Sequence, residues 1–332
     1  MSYLIINICY LLINFSGNYE NVKKQGVQKM FSDSIVKVVT NLEKDQVIKS
    51  ANRFLTEKPK TVTAFYCSRS AGGPHDFFSE GPYWWSDPVN PKGPYIRKDG
   101  LRNPENFEEH DNALSKSSRI IATQTSAYLL TGKEEYVKAE MTHLKAWFVD
   151  TTTRMNPNLL YAQAINGICT GRGIGIIDAV CLIEVARSVK ILEMSQYVQR
   201  QDIIQIKEWF SQFLNWLTTH QYGIDEMNAK NNHGTWWLAQ ASAYASLVNN
   251  REILEKCNKL YKEVIISGQM SPNGSFPLEL ERTKPYSYSL FNLDAMAEAA
   301  WILSEESFDA WNYTLSDGRG LKKRARFHYA IY

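Results

Sequence analysis

The sequence is short of several things that would have made its function easy to read. Its five cysteines, Cys9, Cys67, Cys169, Cys181 and Cys257, are scattered. No CxxC pair or Cys/His cluster has zinc-ligand spacing, so no structural metal is expected. Buried free thiols are the default, although one disulfide is compatible with an oxidising compartment. Charge of either sign is not in excess. A formal net charge of +2 excludes the broad basic face of a general nucleic-acid binder, while leaving room for a local basic groove. No 34- or 40-residue repeat marks a helical solenoid. Alternation of the strand type is scarce.

Long hydrophobic runs are also missing. The run Leu4–Phe15 is too short for a membrane span. It precedes Ser16-Gly17-Asn18 in the manner of a signal peptide, yet no Lys or Arg stands before it. A degenerate secretory signal and a misplaced start are both open readings of residues 1–29, and a secreted or periplasmic location is the expectation.

What the chain does have is apolar and aromatic material. Apolar residues make up 44% of 332, enough for a large core. Nine Trp and 18 Tyr exceed the needs of that core. Their apolar faces and polar rims suit them to stacking on sugar rings.

Helical periodicity recurs along most of the chain. From about Met30 to Leu55, the residues Ile35, Val38, Leu42 and Val47 fall near one face. Asn112–Leu130 and Glu134–Val149 are separated by Thr131-Gly132, a helix stop. Residues 175–192 are apolar around most of the circumference, as in a helix buried on two sides. Ile203, Ile206, Phe210, Phe213 and Leu217 form a further stripe, and more helices fit 234–249, 251–266, 292–304 and 318–329. Residues 59–109 differ: they are rich in Pro, Gly and aromatics, and a segment of that length without a repeat is commonly functional. The chain therefore reads as all-α, with residues 30–332 as one domain. Short turns between helices imply antiparallel hairpins, which can close into an α/α toroid.

Two constellations carry chemistry. Asn231-Asn232-His233-Gly234 stands directly before a helix, where Asn and His side chains and free backbone donors together suit a carboxylate. Glu279-Leu280-Glu281-Arg282 is followed by Tyr288, six residues beyond Arg282. That spacing shares no helix face, and in a strand it would span about 20 Å. If both side chains are to meet one sugar, the chain must bend between them, and Pro285 allows a turn.

The order of these motifs resembles the alginate-lyase superfamily. NNHG, then ELER with its downstream Tyr, then NLDAMAEAAWIL carry the likeness, with HDFFSEGPYWWSDP, YIRKDGLRNPE and CTGRGIGIID before them. The resemblance covers about residues 50–325 and points towards the glucuronan- and mannuronan-cleaving branches. It weakens after DGRGLKK, which raises the expectation of an altered or truncated end.

The resemblance implies an α/α toroid and metal-independent, cofactor-free β-elimination. Asn232, His233 and Arg282 would neutralise a uronate carboxylate, and Tyr288 would take the C5 proton, with Tyr286 as a substitute one gap away. Neutralising the carboxylate is the main demand, because removing the proton adds charge to an anion. Ionising a tyrosine at pH 7 costs roughly 4 kcal/mol, which a nearby Arg is expected to reduce. In mannuronate and glucuronate, H5 and the C4 oxygen share a ring side, so one Tyr can serve both in a syn elimination.

Tyr83, Trp84, Trp85, Tyr95 and Arg97 of the early segment are expected to stack on sugars or pair with their carboxylates. His110 and Arg172 would add charge to the cleft, and Glu226 would orient His233. The expected partner is an acidic polysaccharide, bound by a monomer without a membrane span. A glycoside hydrolase, using Asp225/Glu226 or Glu279/Glu281, and a non-catalytic polysaccharide binder are the alternatives.

Overall fold

A computed structural model describes residues 33–304 and 308–323. The apolar run at residues 4–15, Cys9, the segment RARFHYAIY and the second half of the expected helix 318–329 lie outside the described residues.

The described chain is mostly helical. Its main helices are α1 (Asp33–Phe54), α2 (Glu109–Thr131), α3 (Glu134–Phe148), α4 (Leu182–Leu192), α5 (Arg200–Thr219), α6 (Gln221–Met227) and α7 (Asn232–Val248). They are followed by α8 (Arg251–Leu260), the short α9 (Pro277–Leu280) and α10 (Pro285–Leu303). Gly132 ends α2 in the left-handed conformation that a glycine adopts without strain, with φ 69°. No described helix is long and apolar enough to cross a membrane.

The apolar stripes decide which helices lie inside. α7 packs against α4, α5, α8 and α10, and its Trp236, Trp237 and Tyr244 are fully buried. α2 packs against α1, α3 and α4, and α3 touches α5. The stripe of α5 buries Ile206, Phe210, Phe213 and Leu217 as its periodicity requires.

Two details differ from the sequence expectation. The stretch expected as one helix over 175–192 begins as a 3₁₀ helix at Gly173–Ala179, before α4. There Gly175 passes so close to Ala162 that an added Cβ would lie 2.6 Å from the Ala162 carbonyl oxygen. The helix expected at 292–304 starts earlier, at Pro285, whose fixed φ and missing N–H suit a first helical position.

The segment before α2 is not structureless. β1 (Phe78–Glu80) pairs in parallel with β4 (Tyr161–Ala164), and β2 (Trp84–Trp85) pairs with β3 (Ile96–Arg97) in an antiparallel ribbon. Sequence alternation cannot reveal strands of two to four residues. These two ribbons hold the aromatic segment over one end of the helices.

Candidate active site

A cavity of ≈ 720 Å³ opens at that end, lined from both constellations and from the aromatic segment. Tyr83, Trp84, Arg97, Arg172, Glu226, Asn232, His233, Arg282 and Tyr288 all face it.

The NNHG turn is built by capping. Asn231 is the N-cap of α7, and its side chain accepts a hydrogen bond from the His233 backbone N–H at 3.3 Å. The Glu279 carboxylate, fully buried, accepts from the Asn232 backbone N–H at 2.6 Å. It also accepts from Asn232 Nδ2, at 2.8 and 2.9 Å to its two oxygens. Because those oxygens sit close together, they share one hydrogen of the amide; its second hydrogen points elsewhere. A negative charge at a helix N-terminus is well placed electrostatically. His233 Nδ1 lies 2.6 Å from Glu226 Oε1, with the carboxylate almost wholly buried, so the imidazole orientation is fixed and Nε2 is left for a ligand.

The bend between Arg282 and Tyr288 is real. α9 ends at Leu280, and α10 begins at Pro285, which puts Tyr288 in its first turn. The Arg282 guanidinium stacks over the Tyr288 ring at 3.7 Å from the centroid. Tyr286, the substitute, is exposed and lies outside the cavity lining.

Tyr288 Oη lies 2.8 Å from Tyr83 Oη. Burial holds the Tyr288 hydroxyl well above its ordinary pKa, and the bond to Tyr83 adds to this. Arg282 acts in the opposite direction without prevailing. The adjacent Arg282 lowers the cost of ionising Tyr288, as expected, but desolvation outweighs the guanidinium and the net shift is upward.

Arg172 reaches the cavity from the turn before the 3₁₀ helix. Its Nε and Nη2 donate to the Gln163 backbone oxygen and Oε1 at 3.0 and 2.9 Å. Gln163 holds φ 50°, a left-handed conformation unfavourable for a non-glycine residue. That strain aims both of its oxygens at one guanidinium. Burial lowers the Arg172 pKa, and the ring of Trp84 lies 6.0 Å from its Cζ.

Three expected residues stand elsewhere. His110 is a core histidine, correcting its placement in the cleft: Phe65, Phe77 and Phe107 surround it, and its Nδ1 accepts from the Phe78 backbone N–H at 3.0 Å. Burial pushes its pKa down, so it adds no charge to the cavity. Trp85 points away from the cavity lining, its Nε1 donating to the Leu101 oxygen at 3.0 Å. Tyr95 is outside the lining too, where its backbone N–H donates to the Asn166 oxygen of a distant segment.

Sequence reasoning missed four carboxylates. Besides Glu279 in its capping role, Asp99 pairs with Arg282 at 3.1 Å. Asp111 and Asp178 line the far end of the cavity. Burial and the Asp178 charge raise Asp111 to about 7; burial raises Asp178 as well, against hydrogen bonds from Ser79 and Gln163 at 2.5 and 2.8 Å. Asp99, Asp178 and Glu279 stand in YIRKDGLRNPE, CTGRGIGIID and ELER, and Asp111 follows His110, but such motifs do not disclose partners.

The hydrolase alternative finds no support in the expected pairs. Glu279 is buried against Asn232 and Glu281 is exposed outside the cavity lining; Asp225 and Glu226 both border the cavity, but Glu226 is bound to His233 and Asp225 accepts from Gln221 Nε2. Among the described residues, no group of three or more His, Cys, Asp or Glu is arranged to hold a metal ion. The described cysteines are free.

The family model for alginate lyase matches residues 61–332. An alginate lyase from Bacteroides ovatus is 36% identical, with a TM-score of 0.80, over 85% of this chain and 75% of that one. Alginate lyase A1-III from Sphingomonas species A1 shares the fold at 15% identity and a TM-score of 0.56, over 86% of this chain and 76% of that one. A variant of A1-III complexed with tetrasaccharide gives a TM-score of 0.59 at 15% identity, over 86% and 75% of the two chains. No curated protein matches the chain. With its cavity, its paired constellations and a family match over most of its length, this chain belongs to the alginate lyase family and is a polysaccharide lyase.

Proposed function

We propose that the chain cleaves a 1,4-linked uronic-acid polymer, glucuronan or mannuronan, by metal-independent syn β-elimination. The observation that carries this reading is the Arg282 guanidinium stacked 3.7 Å over Tyr288 beside His233 and Asn232, in one cavity.

The chemistry follows from charge. A uronate carboxylate entering the cavity meets the free corner of Arg282 and the second hydrogen of the Asn232 amide; His233 joins these donors through Nε2–H when its ring carries both protons. These donors offset the charge that builds on the carboxylate as C5 loses its proton. The ionised Tyr288 oxygen takes H5. The electron pair of the C5–H bond forms the C4–C5 double bond as the C4–O bond breaks. The same tyrosine returns its proton to the departing C4 oxygen, which lies on the same face in mannuronate and glucuronate. Arg172, Arg97, Tyr83 and Trp84 border the cavity and would hold flanking sugars. Trp85, Tyr95 and His110 are not assigned a contact with substrate.

Residues 30–332 would form one catalytic domain acting as a monomer. The succession α2, α4, α7, α10 on the inside, with α3, α5 and α8 against their backs, supports an α/α toroid. A secreted or periplasmic location suits a polymeric substrate.

Incubation with polymannuronate, polyguluronate, glucuronan and hyaluronan, followed by ultraviolet absorbance of the unsaturated product, tests this reading. Absorbance with glucuronan or polymannuronate is expected. New reducing ends without absorbance would indicate hydrolysis and overturn it.

A further inference from the structure

Asp99 belongs to the aromatic segment, two residues beyond β3, and meets Arg282 across most of the chain. Its Oδ1 accepts from Arg282 Nη2 at 3.1 Å and from Arg97 Nη2 at 2.7 Å. Its Oδ2 accepts from Arg282 Nε at 3.4 Å and from Thr283 Oγ1 at 3.2 Å. One carboxylate thus gathers four donors from two distant segments.

The contact is close on the backbone as well. Gly100, at φ 72°, lies where an added Cβ would stand 2.3 Å from Thr283 Oγ1. A side chain there would push the segment away from Arg282.

A planar guanidinium is fixed when one face and one edge are held. Tyr288 holds the face of Arg282, and Asp99 takes the Nε–Nη2 edge. Nη1 makes no hydrogen bond to the described residues, so that corner is left for a ligand. Arg97 offsets the charge of Asp99, and the trio Arg97–Asp99–Arg282 stays net positive towards an arriving anion.

We propose that Asp99 is a positioning residue: it holds the edge of Arg282 so that the free corner of the guanidinium meets the substrate carboxylate. This rests on the assignment of Arg282 above. The aromatic segment then completes the catalytic centre instead of only stacking sugars. Burial opposes ionisation of Asp99, but the donors from Arg282, Arg97 and Thr283 hold its pKa at about 2, so the clamp persists across the working pH range.

The test is a double-mutant cycle of Asp99→Asn and Arg282→Lys, with kcat, KM and melting temperature measured on the polymer that the wild type cleaves. A misplaced guanidinium should cost Asp99→Asn about 10–100-fold in kcat. KM should change by less than about threefold, because the carboxylate site remains cationic. In the Arg282→Lys background, Asp99→Asn should add no further loss. Thr283→Val, which removes one donor to Asp99, should give a smaller loss with the same dependence on Arg282, and serves if Asp99→Asn melts early. Losses that multiply, or a kcat for Asp99→Asn within about twofold of wild type, would overturn the proposal. Full activity in Arg282→Lys would instead remove the underlying assignment.

Discussion

His233 Nδ1 lies 2.6 Å from Glu226 Oε1, seven residues earlier in the chain. The pair spans the junction of α6 and α7, so that junction sets the direction of the imidazole. An Nδ1–H bonded to the carboxylate directs Nε2 into the cavity.

Glu226→Gln keeps the shape and removes the charge that selects this tautomer. The expected result is a fall in kcat of about 10–100-fold, with the melting temperature nearly unchanged. Steady-state kinetics beside a thermal melt check it. Unchanged kcat would show that the orientation of His233 does not matter to turnover.

Asn232 holds substrate in the proposed mechanism and also holds Glu279. Truncating it to Ala leaves the buried Glu279 carboxylate with the Asn232-position backbone N–H alone. Stability should fall by about 1–3 kcal/mol, together with activity. Denaturant unfolding measures the first. A variant as stable as wild type would mean that Glu279 finds other partners.

Asp111 carries a pH signature. Its folded pKa, at about 7, lies above the ordinary value of 3.8, because burial and Asp178 disfavour its charge. The folded state therefore binds this proton more tightly than the unfolded chain. That contribution is present below the unfolded pKa and is lost as pH rises from about 4 to about 7. Asp111→Asn should therefore be more stable than wild type at pH 7.5, by at most about 4 kcal/mol, and the gain should vanish near pH 4. Melting temperatures across that range decide it; a gain that is the same at both ends would exclude a titration effect.

Tyr288 should give the rate its pH dependence. Because burial and Tyr83 raise its pKa, the ionised fraction keeps growing through the neutral range. The ratio kcat/KM should climb from about pH 6 to about pH 9 without a plateau. A flat profile over that range would argue for a different base.

How much of this was legible in the sequence depends on the distance between partners. The helices were, because their apolar stripes are local, as in α5 with Phe210, Phe213 and Leu217. The Arg282–Tyr288 bend was, because Pro285 announces a break and then serves as the first residue of α10. The contact of Asn232 with Glu279 joins residues 47 apart, and that of Arg282 with Asp99 joins residues 183 apart. No periodicity reports such pairs. His110 was misread for the same reason: its neighbours Phe65, Phe77 and Phe107 arrive from a segment with no regular pattern. The sign of the Tyr288 pKa shift was hidden because it depends on burial, which a sequence does not display.

The central claim is that Tyr288 moves the C5 proton, and Tyr288→Phe tests it most directly. The variant should bind the uronan with near wild-type affinity, yet yield no increase in ultraviolet absorbance from unsaturated product. Absorbance rising at a rate near that of the wild type would contradict the account.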